Sequence, residues 1–213
     1  MTRPFLPRLR ARAAAALALA LALALAPACG SGGSRVADDD PTLAVPHDDG
    51  TDDYTLGVAY ETGQGVDVDL ARAARHYRKA CEGHAHLRAC NNLGVLEDKG
   101  AGVPVDHAAA RIHYARACDG DLGDACFNLG MALADPGDHV EPDAVHARAA
   151  FDRGCAHDHV DSCVNAGILW FRGQGGAADP VIGRARLARA CELGDGHACE
   201  TVKELTTTET ETK

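Results

Sequence analysis

Two series of cysteines recur along this chain with an almost constant period. The first series is Cys81, Cys118, Cys155 and Cys191. The second series is Cys90, Cys126, Cys163 and Cys199. Glycines at 57, 94, 130 and 167 keep the same spacing of 36 or 37 residues. A period in this range predicts four copies of one supersecondary unit, which stack on one another to bury a continuous core.

Each unit has the pattern of two helices, and the second helix is the clearer one. In the first unit its small and apolar residues recur at steps of three and four and form one face, made of Leu70, Ala73, Ala74, Tyr77, Ala80 and Cys81. Every unit has an aspartate four residues before the first small residue of this frame, at Asp69, Asp106, Asp143 and Asp179. An aspartate there is expected to cap the helix, because it accepts hydrogen bonds from the first turn.

The first helix of each unit contains a glycine, in TLGVAY, NLGVLE, NLGMAL and NAGILW, which lets a neighbouring helix approach. Three residues later the units have a large apolar side chain, except that the second unit has Glu97. The turns between the two helices are GQGV, GAGV, GDHV and GQGG. In the third unit His139 replaces the second glycine and one extra residue precedes the turn, so we expect a different geometry there.

The stretch LGVAYETGQGVDVDLARAARHYRKAC and its three counterparts resemble the Sel-one-like repeat family, a relative of the tetratricopeptide repeats. A cysteine pair in every unit narrows the resemblance to the Helicobacter cysteine-rich protein type. The resemblance covers about residues 54–205 and implies an all-α, right-handed α-solenoid whose concave face is lined by the first helices. We place the units at about 54–90, 91–126, 127–163 and 164–199, followed by a short cap.

The cysteines are predicted to form Cys81–Cys90, Cys118–Cys126, Cys155–Cys163 and Cys191–Cys199. Each pair would join the end of one second helix to the start of the next first helix, where antiparallel ends can approach to disulfide distance. Zinc sites usually use closer pairs such as C-x₂-C, and redox pairs favour C-x-x-C. A structural disulfide also agrees with an export signal, because exported proteins meet an oxidising compartment.

Residues 1–28 are predicted to be a signal peptide. Four arginines precede an apolar run, residues 13–26, that is too short to span a bilayer. The following APAC resembles a bacterial lipobox, and Cys29 is left over by the four pairs, so we predict lipidation at Cys29; the alternative is a free N-terminal thiol. Gly30 after the cysteine favours an outer-membrane lipoprotein of the cell envelope. We expect residues 29–53 to form a flexible acidic tether and residues 206–213 a disordered tail.

Charge and motifs limit the possible functions. The formal net charge of −10 argues against binding nucleic acid, so the predicted partner is a protein or peptide, with membrane contact through the lipid anchor only. The resemblance also suggests a runner-up, a weak β-lactamase or a penicillin- or peptidoglycan-fragment-binding protein. However, the chain after the signal peptide contains only Ser31, Ser34 and Ser162, and none of them starts an S-x-x-K motif.

Metal chemistry has one partial match. HDHVDS, residues 157–162, begins like the H-x-H-x-D-H motif of metallo-β-lactamases but has Ser162 where the last histidine should be. Histidines between paired cysteines, including His84, His86 and His197, are expected to be solvated, with weak metal binding as the alternative. We therefore assign no catalytic residue, no metal ligand and no cofactor.

The predicted binding residues come from the tetratricopeptide pattern, in which the residue before LG and the residue after it face the concave side. These positions are Asn92, Val95, Asn128, Met131, Asn165 and Ile168. A recurrent asparagine offers a donor and an acceptor to an extended peptide backbone. Alternatively, an asparagine near the start of a helix supports that helix. The sequence thus predicts an exported, lipid-anchored scaffold that binds a protein or peptide on its concave face.

Overall fold

The computed structural model describes residues 50–135 and 141–211, with backbone only for 206–211. Over these residues the chain forms α-helices, one π-helical turn and no strand. The helices are α1 (Thr51–Thr62), α2 (Leu70–Arg78), α3 (Leu87–Lys99), α4 (His107–Asp119), α5 (Gly123–Ala134), α6 (Ala144–Ala156), α7 (Val160–Arg172), α8 (Pro180–Glu192) and α9 (Gly196–Glu211). The signal peptide, Cys29 and the tether up to residue 49 lie outside the described residues.

Each helix packs against the next along the chain, and alternate helices also touch, as α1 does α3 and α5 does α7. This arrangement is an α-solenoid, and the predicted fold class is confirmed: it is all-α and right-handed, with disulfides in the repeats. No helix in the described part of the chain is long and apolar enough to cross a membrane.

The four aspartates cap the second helices as predicted. Each side chain accepts a hydrogen bond from the backbone N–H three residues later, and Asp179 also accepts from Val181. Pro180 occupies the first position of α8, where its missing N–H costs nothing. The second helices therefore begin where local sequence chemistry places them.

The repeated glycine of each first helix faces a large side chain of the second helix in the same unit. A Cβ atom on any of these glycines would lie 2.5 to 2.8 Å from that side chain. The pairs are Gly57 with Tyr77, Gly94 with Tyr114, Gly130 with Phe151, and Gly167 with Leu187. The glycines thus allow the two helices of a unit to pack around one large buried residue.

All four predicted disulfides are present, with Cα–Cα distances of 4.4 to 4.7 Å. The first pair is nine residues apart in sequence and the others are eight apart. The extra residue coincides with a π-helical turn, Lys79–Gly83, at the end of α2. A π-helical turn accommodates one inserted residue without breaking the helix, so the first unit keeps the same disulfide geometry.

Two boundaries differ from the sequence prediction. Helix α1 begins at Thr51, within the predicted tether, and α9 continues through Glu211, although residues 206–211 were expected to be disordered. Ala198, Val202 and Leu205 pack α9 into the last apolar cluster. Because extending a helix is much easier than nucleating one, this anchored helix can continue into polar residues.

The unit limits drawn after residues 90, 126 and 163 fall within the first turn of α3, α5 and α7. A period defines the length of a repeat but not where it begins. The helix ends place the unit boundaries between the paired cysteines instead.

The second glycine of the turn packs on the preceding unit. A Cβ at Gly102 would lie 2.4 Å from the backbone of Leu70, and one at Gly175 would lie 2.2 Å from the carbonyl oxygen of Ala144. Both contacts are with the start of the preceding second helix. In the third unit the corresponding residue is His139, which lies outside the described residues.

Candidate functional site

A cavity of about 360 Å³ lies between α4 and the two first helices α3 and α5. Its lining combines charged, amide and apolar side chains: Asp98, His107, Arg111, Tyr114, Asn128, Met131, Ala132 and Asp135. The cavity reaches the start of α4 at His107. Volumes of this size are typical of small ligand pockets.

Two of the six predicted binding residues, Asn128 and Met131, line this cavity. Met131 is 46% exposed and is one of six large apolar side chains that are exposed in the described part of the chain. The Asn128 amide nitrogen donates to Asn91 Oδ1 over 2.9 Å. The Asn128 side chain is therefore held in position by the neighbouring unit. The oxygen of its side-chain amide, Oδ1, has no hydrogen-bond partner among the described residues.

The other predicted residues are not equivalent to this pair. Asn92 lies 3.5 Å from the Asn91 amide and also contacts the Tyr77 hydroxyl, so it belongs to the same amide row. Asn165 instead donates to the Asp161 carbonyl oxygen of its own helix over 2.8 Å. For Asn165 the geometry therefore matches the alternative of a helix-supporting role. Val95 and Ile168 are half-buried, and neither lines the cavity.

Asn91 is a residue that the repeat pattern missed. It connects Asn92 on its own helix with Asn128 on α5, and so forms an amide row across two units. It precedes the LG motif by two residues, whereas the tetratricopeptide pattern selects the residue directly before it. Only the packing of α3 on α5 shows which of the two neighbouring asparagines reaches the next unit.

One wall of the cavity is an ion pair. His107 Nδ1 lies 2.7 Å from Asp98 Oδ1, which connects the start of α4 with the end of α3. Next to it, burial, followed by the charges of Asp98 and Glu97, raises the pKa of Tyr114 well above its usual value. Tyr114 therefore remains a neutral phenol at any physiological pH and adds no charge to the cavity.

Arg111 is the unusual member of the lining, because its Nη1 atom is buried without a hydrogen-bond partner. Its counterpart one unit later, Arg148, has its guanidinium 3.9 Å from the centre of the Trp170 ring and donates to the Ala177 carbonyl oxygen over 3.4 Å. The position of Trp170 is occupied by Leu133 in the third unit, which offers no aromatic face. Arg111 therefore lacks the aromatic ring over which Arg148 lies.

The sequence contained a signal for Arg111. An arginine stands five residues after the capping aspartate in the last three units, at Arg111, Arg148 and Arg184. The period alone cannot show that these three side chains have different surroundings. That difference depends on which residue the next first helix places against each of them.

Glu97, which breaks the apolar pattern, is buried as part of an ion-paired cluster. Its carboxylate lies 2.7 Å from His113 Nδ1 and 3.2 Å from Arg78 Nη2. Since Arg78 belongs to α2 and His113 to α4, the carboxylate joins three consecutive helices. The Glu97 carboxylate is therefore partnered within the protein by both side chains.

The residues of the H-x-H-x-D match serve the helix junction. His159 Nδ1 accepts from the Ser162 backbone N–H and caps α7, while His157 Nε2 lies 3.1 Å from Asp121. Ser162 is completely buried beside His159, where it cannot attack a ligand from solvent. Over the described residues, no three His, Cys, Asp or Glu side chains are grouped as metal ligands would be.

Comparison with known proteins agrees with this architecture. The Sel1 repeat model matches residues 54–84, 87–122, 123–159 and 160–195. Its boundaries fall between the helix pairs of the structure. Among curated proteins, none matches the sequence significantly.

Several solved structures are similar to this chain. A protective antigen of uropathogenic Escherichia coli strains, which displays an SLR fold, is 28% identical over 73% of this chain and 33% of that chain, with a TM-score of 0.67. A Sel1 repeat protein from Oxalobacter formigenes is 24% identical over 73% of this chain and 63% of that chain, with a TM-score of 0.66. Helicobacter pylori cysteine rich protein B is 24% identical over 65% of this chain and 98% of that chain, with a TM-score of 0.49. The chain spans a third of the first structure and less than two thirds of the second.

Proposed function

Because the chain belongs to the Sel1 repeat family, we propose that it is a scaffold that binds a protein or peptide segment on the concave face of its first helices. The observation that carries the proposal is the amide row that ends at the cavity. Asn128 is held by Asn91 of the neighbouring unit and lies beside the exposed Met131. A fixed amide next to exposed apolar surface is suited to an extended peptide, whose backbone needs polar partners and whose side chains need apolar contacts.

The proposal includes export and a lipid anchor. Four disulfides indicate an oxidising, exported location, because such bonds persist where thiols are not kept reduced. The basic and apolar segments before Cys29, and the absence of a pairing partner for this cysteine in the repeats, support lipidation there. We therefore expect the scaffold to present its concave face from an outer-membrane anchor within the cell envelope.

The amide row is the place to test binding. A peptide or protein partner isolated with the wild-type chain is titrated against Asn92→Ala/Asn128→Ala and against Asn165→Ala. Each lost hydrogen bond to the partner should cost about 1 kcal/mol, so the double variant should bind about tenfold to thirtyfold more weakly. Asn165→Ala is the matched control, because that side chain bonds its own helix, and it should leave the affinity unchanged.

Stability has to be measured on the same variants, because Asn128 also connects two units. Loss of the bond to Asn91 should cost on the order of 1 kcal/mol of unfolding free energy. If the double variant melts earlier but binds its partner with wild-type affinity per folded molecule, the amide row is structural and the proposed site is wrong.

A further inference from the structure

Resting on the proposed lipid anchor, we propose that the convex side of the second helices docks on the membrane, so that the concave face is turned away from the bilayer. The docking surface consists of exposed apolar side chains in the first two turns of α4, α6 and α8, and we call it the outer apolar surface. Its residues are Ala108, Ile112, Val145, Ala149, Val181 and Ala185. Its partner is a bilayer of zwitterionic phospholipid.

The first observation is where the exposed apolar side chains lie. Of the six large ones in the described part of the chain, five lie in the first two turns of a second helix or directly before its capping aspartate. Ile112, Val145 and Val181 are 68%, 60% and 78% exposed, respectively. Single exposed apolar residues are normal on any protein, but their repeated placement on one side of a solenoid marks an interaction surface.

The second observation is that the outer apolar surface follows the repeat. One row of equivalent positions contains Ala108, Val145 and Val181. Four residues later, and therefore on the same face of each helix, the second row contains Ile112, Ala149 and Ala185. Because α4 contacts α6 and α6 contacts α8, the two rows form one continuous surface. In the first unit the second row has Arg75, and the apolar surface ends there.

The charges at the edge of this surface favour a zwitterionic bilayer. One turn beyond the second row, each helix has an arginine, at Arg116, Arg153 and Arg189. An arginine stem can lie along apolar surface while its guanidinium reaches a lipid phosphate. On the other side, the capping aspartates stand two residues before the first row and would be repelled by anionic lipid. The edge thus carries both signs of charge, as a zwitterionic headgroup does.

The anchor brings this surface to the bilayer. Helix α1 begins at Thr51, so about 20 residues connect it to Cys29, and random-coil dimensions for such a length correspond to about 25 Å. A surface held that close to the membrane makes an effectively intramolecular contact, so even weak docking is populated. With the convex side on the bilayer, the first helices and the proposed peptide site face the opposite direction.

The test follows tryptophan fluorescence at the bilayer. The chain from Cys29 onward, without its lipid, is coupled through the Cys29 thiol to maleimide-bearing lipid in phosphatidylcholine vesicles, since the other eight cysteines are held in disulfides. Docked apolar side chains enter about 5–10 Å into the boundary of headgroups and acyl chains. The indole added by Ile112→Trp should therefore lose most of its emission when the acyl chains carry bromine at that depth.

Met131→Trp is the matched control, because it adds an indole at an exposed apolar residue of the first helix α5. That indole should not be quenched, and the same holds for Trp170 on α7, the single tryptophan of the chain. Adding Val145→Ser/Val181→Ser to Ile112→Trp should remove the quenching without lowering the melting temperature, because both valines are exposed. Adding Met131→Ser instead should leave the quenching unchanged.

Four results would overturn the inference. Equal quenching of the indoles at positions 112 and 131 would show that no face is preferred, and quenching of neither would show that the coupled domain stays clear of the bilayer. Quenching that survives the two serine substitutions would assign docking to another surface. A doubled mass in solution that the same substitutions abolish would assign the outer apolar surface to a second copy of the chain.

Lipidation in cells is a separate question, which labelling of the Cys29→Ala variant answers. Since maleimide coupling replaces the lipid in the vesicle experiment, absence of lipidation would refute the proposed anchor without changing the quenching result. Conversely, a lipidated chain whose position 112 is not quenched would keep the anchor and refute the docking.

Discussion

The two buried carboxylates among the described residues, Asp53 and Glu97, are each held by basic side chains of neighbouring helical segments. Glu97 bonds Arg78 and His113, and Asp53 in the first turn of α1 bonds Lys79 and His76 of the following helical segment. Both carboxylates sit where the repeat would otherwise bury apolar surface. Two arginines differ, because Arg111 Nη1 and Arg184 Nε are buried atoms without a hydrogen-bond partner among the described residues.

Asp53 makes the stability sensitive to acid. Burial by itself raises the pKa of Asp53, but hydrogen bonds from Lys79 Nζ at 2.8 Å and His76 Nδ1 at 3.0 Å outweigh it and hold the pKa below its usual value. The stabilisation is therefore present above the unfolded-state pKa of about 3.9 and is lost as the pH falls through the lower folded-state pKa.

Asp53→Asn tests this pair of contacts. Near pH 7 the variant should be less stable by about 1 kcal/mol, a modest value because Lys79 is largely exposed. The difference in melting temperature from wild type should shrink once the pH falls well below about 4, where the wild-type carboxyl is protonated. A difference that stays constant across this range would show that the carboxylate charge contributes nothing.

At the scale of helices, the junctions between units are determined by three local devices. An aspartate starts each second helix, a glycine brings each first helix onto a large side chain, and a disulfide connects each unit to the next. The devices act within one helix, one unit and one junction, respectively. Since each repeat of a solenoid contacts only its neighbours, the junctions determine how cooperatively the units fold.

Because the disulfides stabilise the fold, we expect their reduction to lower the unfolding free energy measurably. Intact mass spectrometry of the described domain should show four disulfides and no free thiol. In the chain-entropy model a closed loop of this length contributes about 2.5 kcal/mol, so Cys118→Ser/Cys126→Ser should lower the unfolding free energy by up to that amount. Cys118→Ser alone should expose Cys126 to a thiol reagent. Free thiols with bound zinc in the wild type would contradict the assignment.

At the scale of the whole molecule, the net charge limits which surfaces attract this chain. Removing residues 1–28 deletes four arginines and no acidic residue, so 17 basic side chains would face 31 acidic ones. An acidic scaffold of this kind is not attracted to nucleic acid or to an anionic membrane surface. A lipid on Cys29 would therefore provide the membrane contact that the charge opposes.

The anchor can be tested by one substitution. Cys29→Ala should abolish labelling with a fatty-acid analogue and shift the protein from the membrane fraction to the soluble fraction. The four disulfides should still form, because they use the other eight cysteines. A wild-type protein that begins at Cys29, carries no acyl mass and is soluble would exclude the lipid anchor.

Local chemistry explains what the sequence by itself determined. The period, the capping aspartates, the glycine positions and the disulfide pairs depend on residues within one unit or one junction, and such short-range rules can be recognised in the sequence. The period could not determine where each unit begins, because a period is the same from any starting point. It also could not show that α9 continues through Glu211, since that follows from how Ala198 and Leu205 anchor the helix.

The hydrogen-bond and ring partners of the side chains at the candidate site are visible only in the tertiary structure. Asn128 and Asn165 occupy equivalent positions in the repeat, yet one bonds the neighbouring unit and the other bonds its own helix. Arg111 and Arg148 are likewise equivalent, but only Arg148 meets a tryptophan ring. The physical reason is that a repeat defines the surroundings within a unit, whereas the partner of each side chain at a junction depends on which residue the next unit places against it.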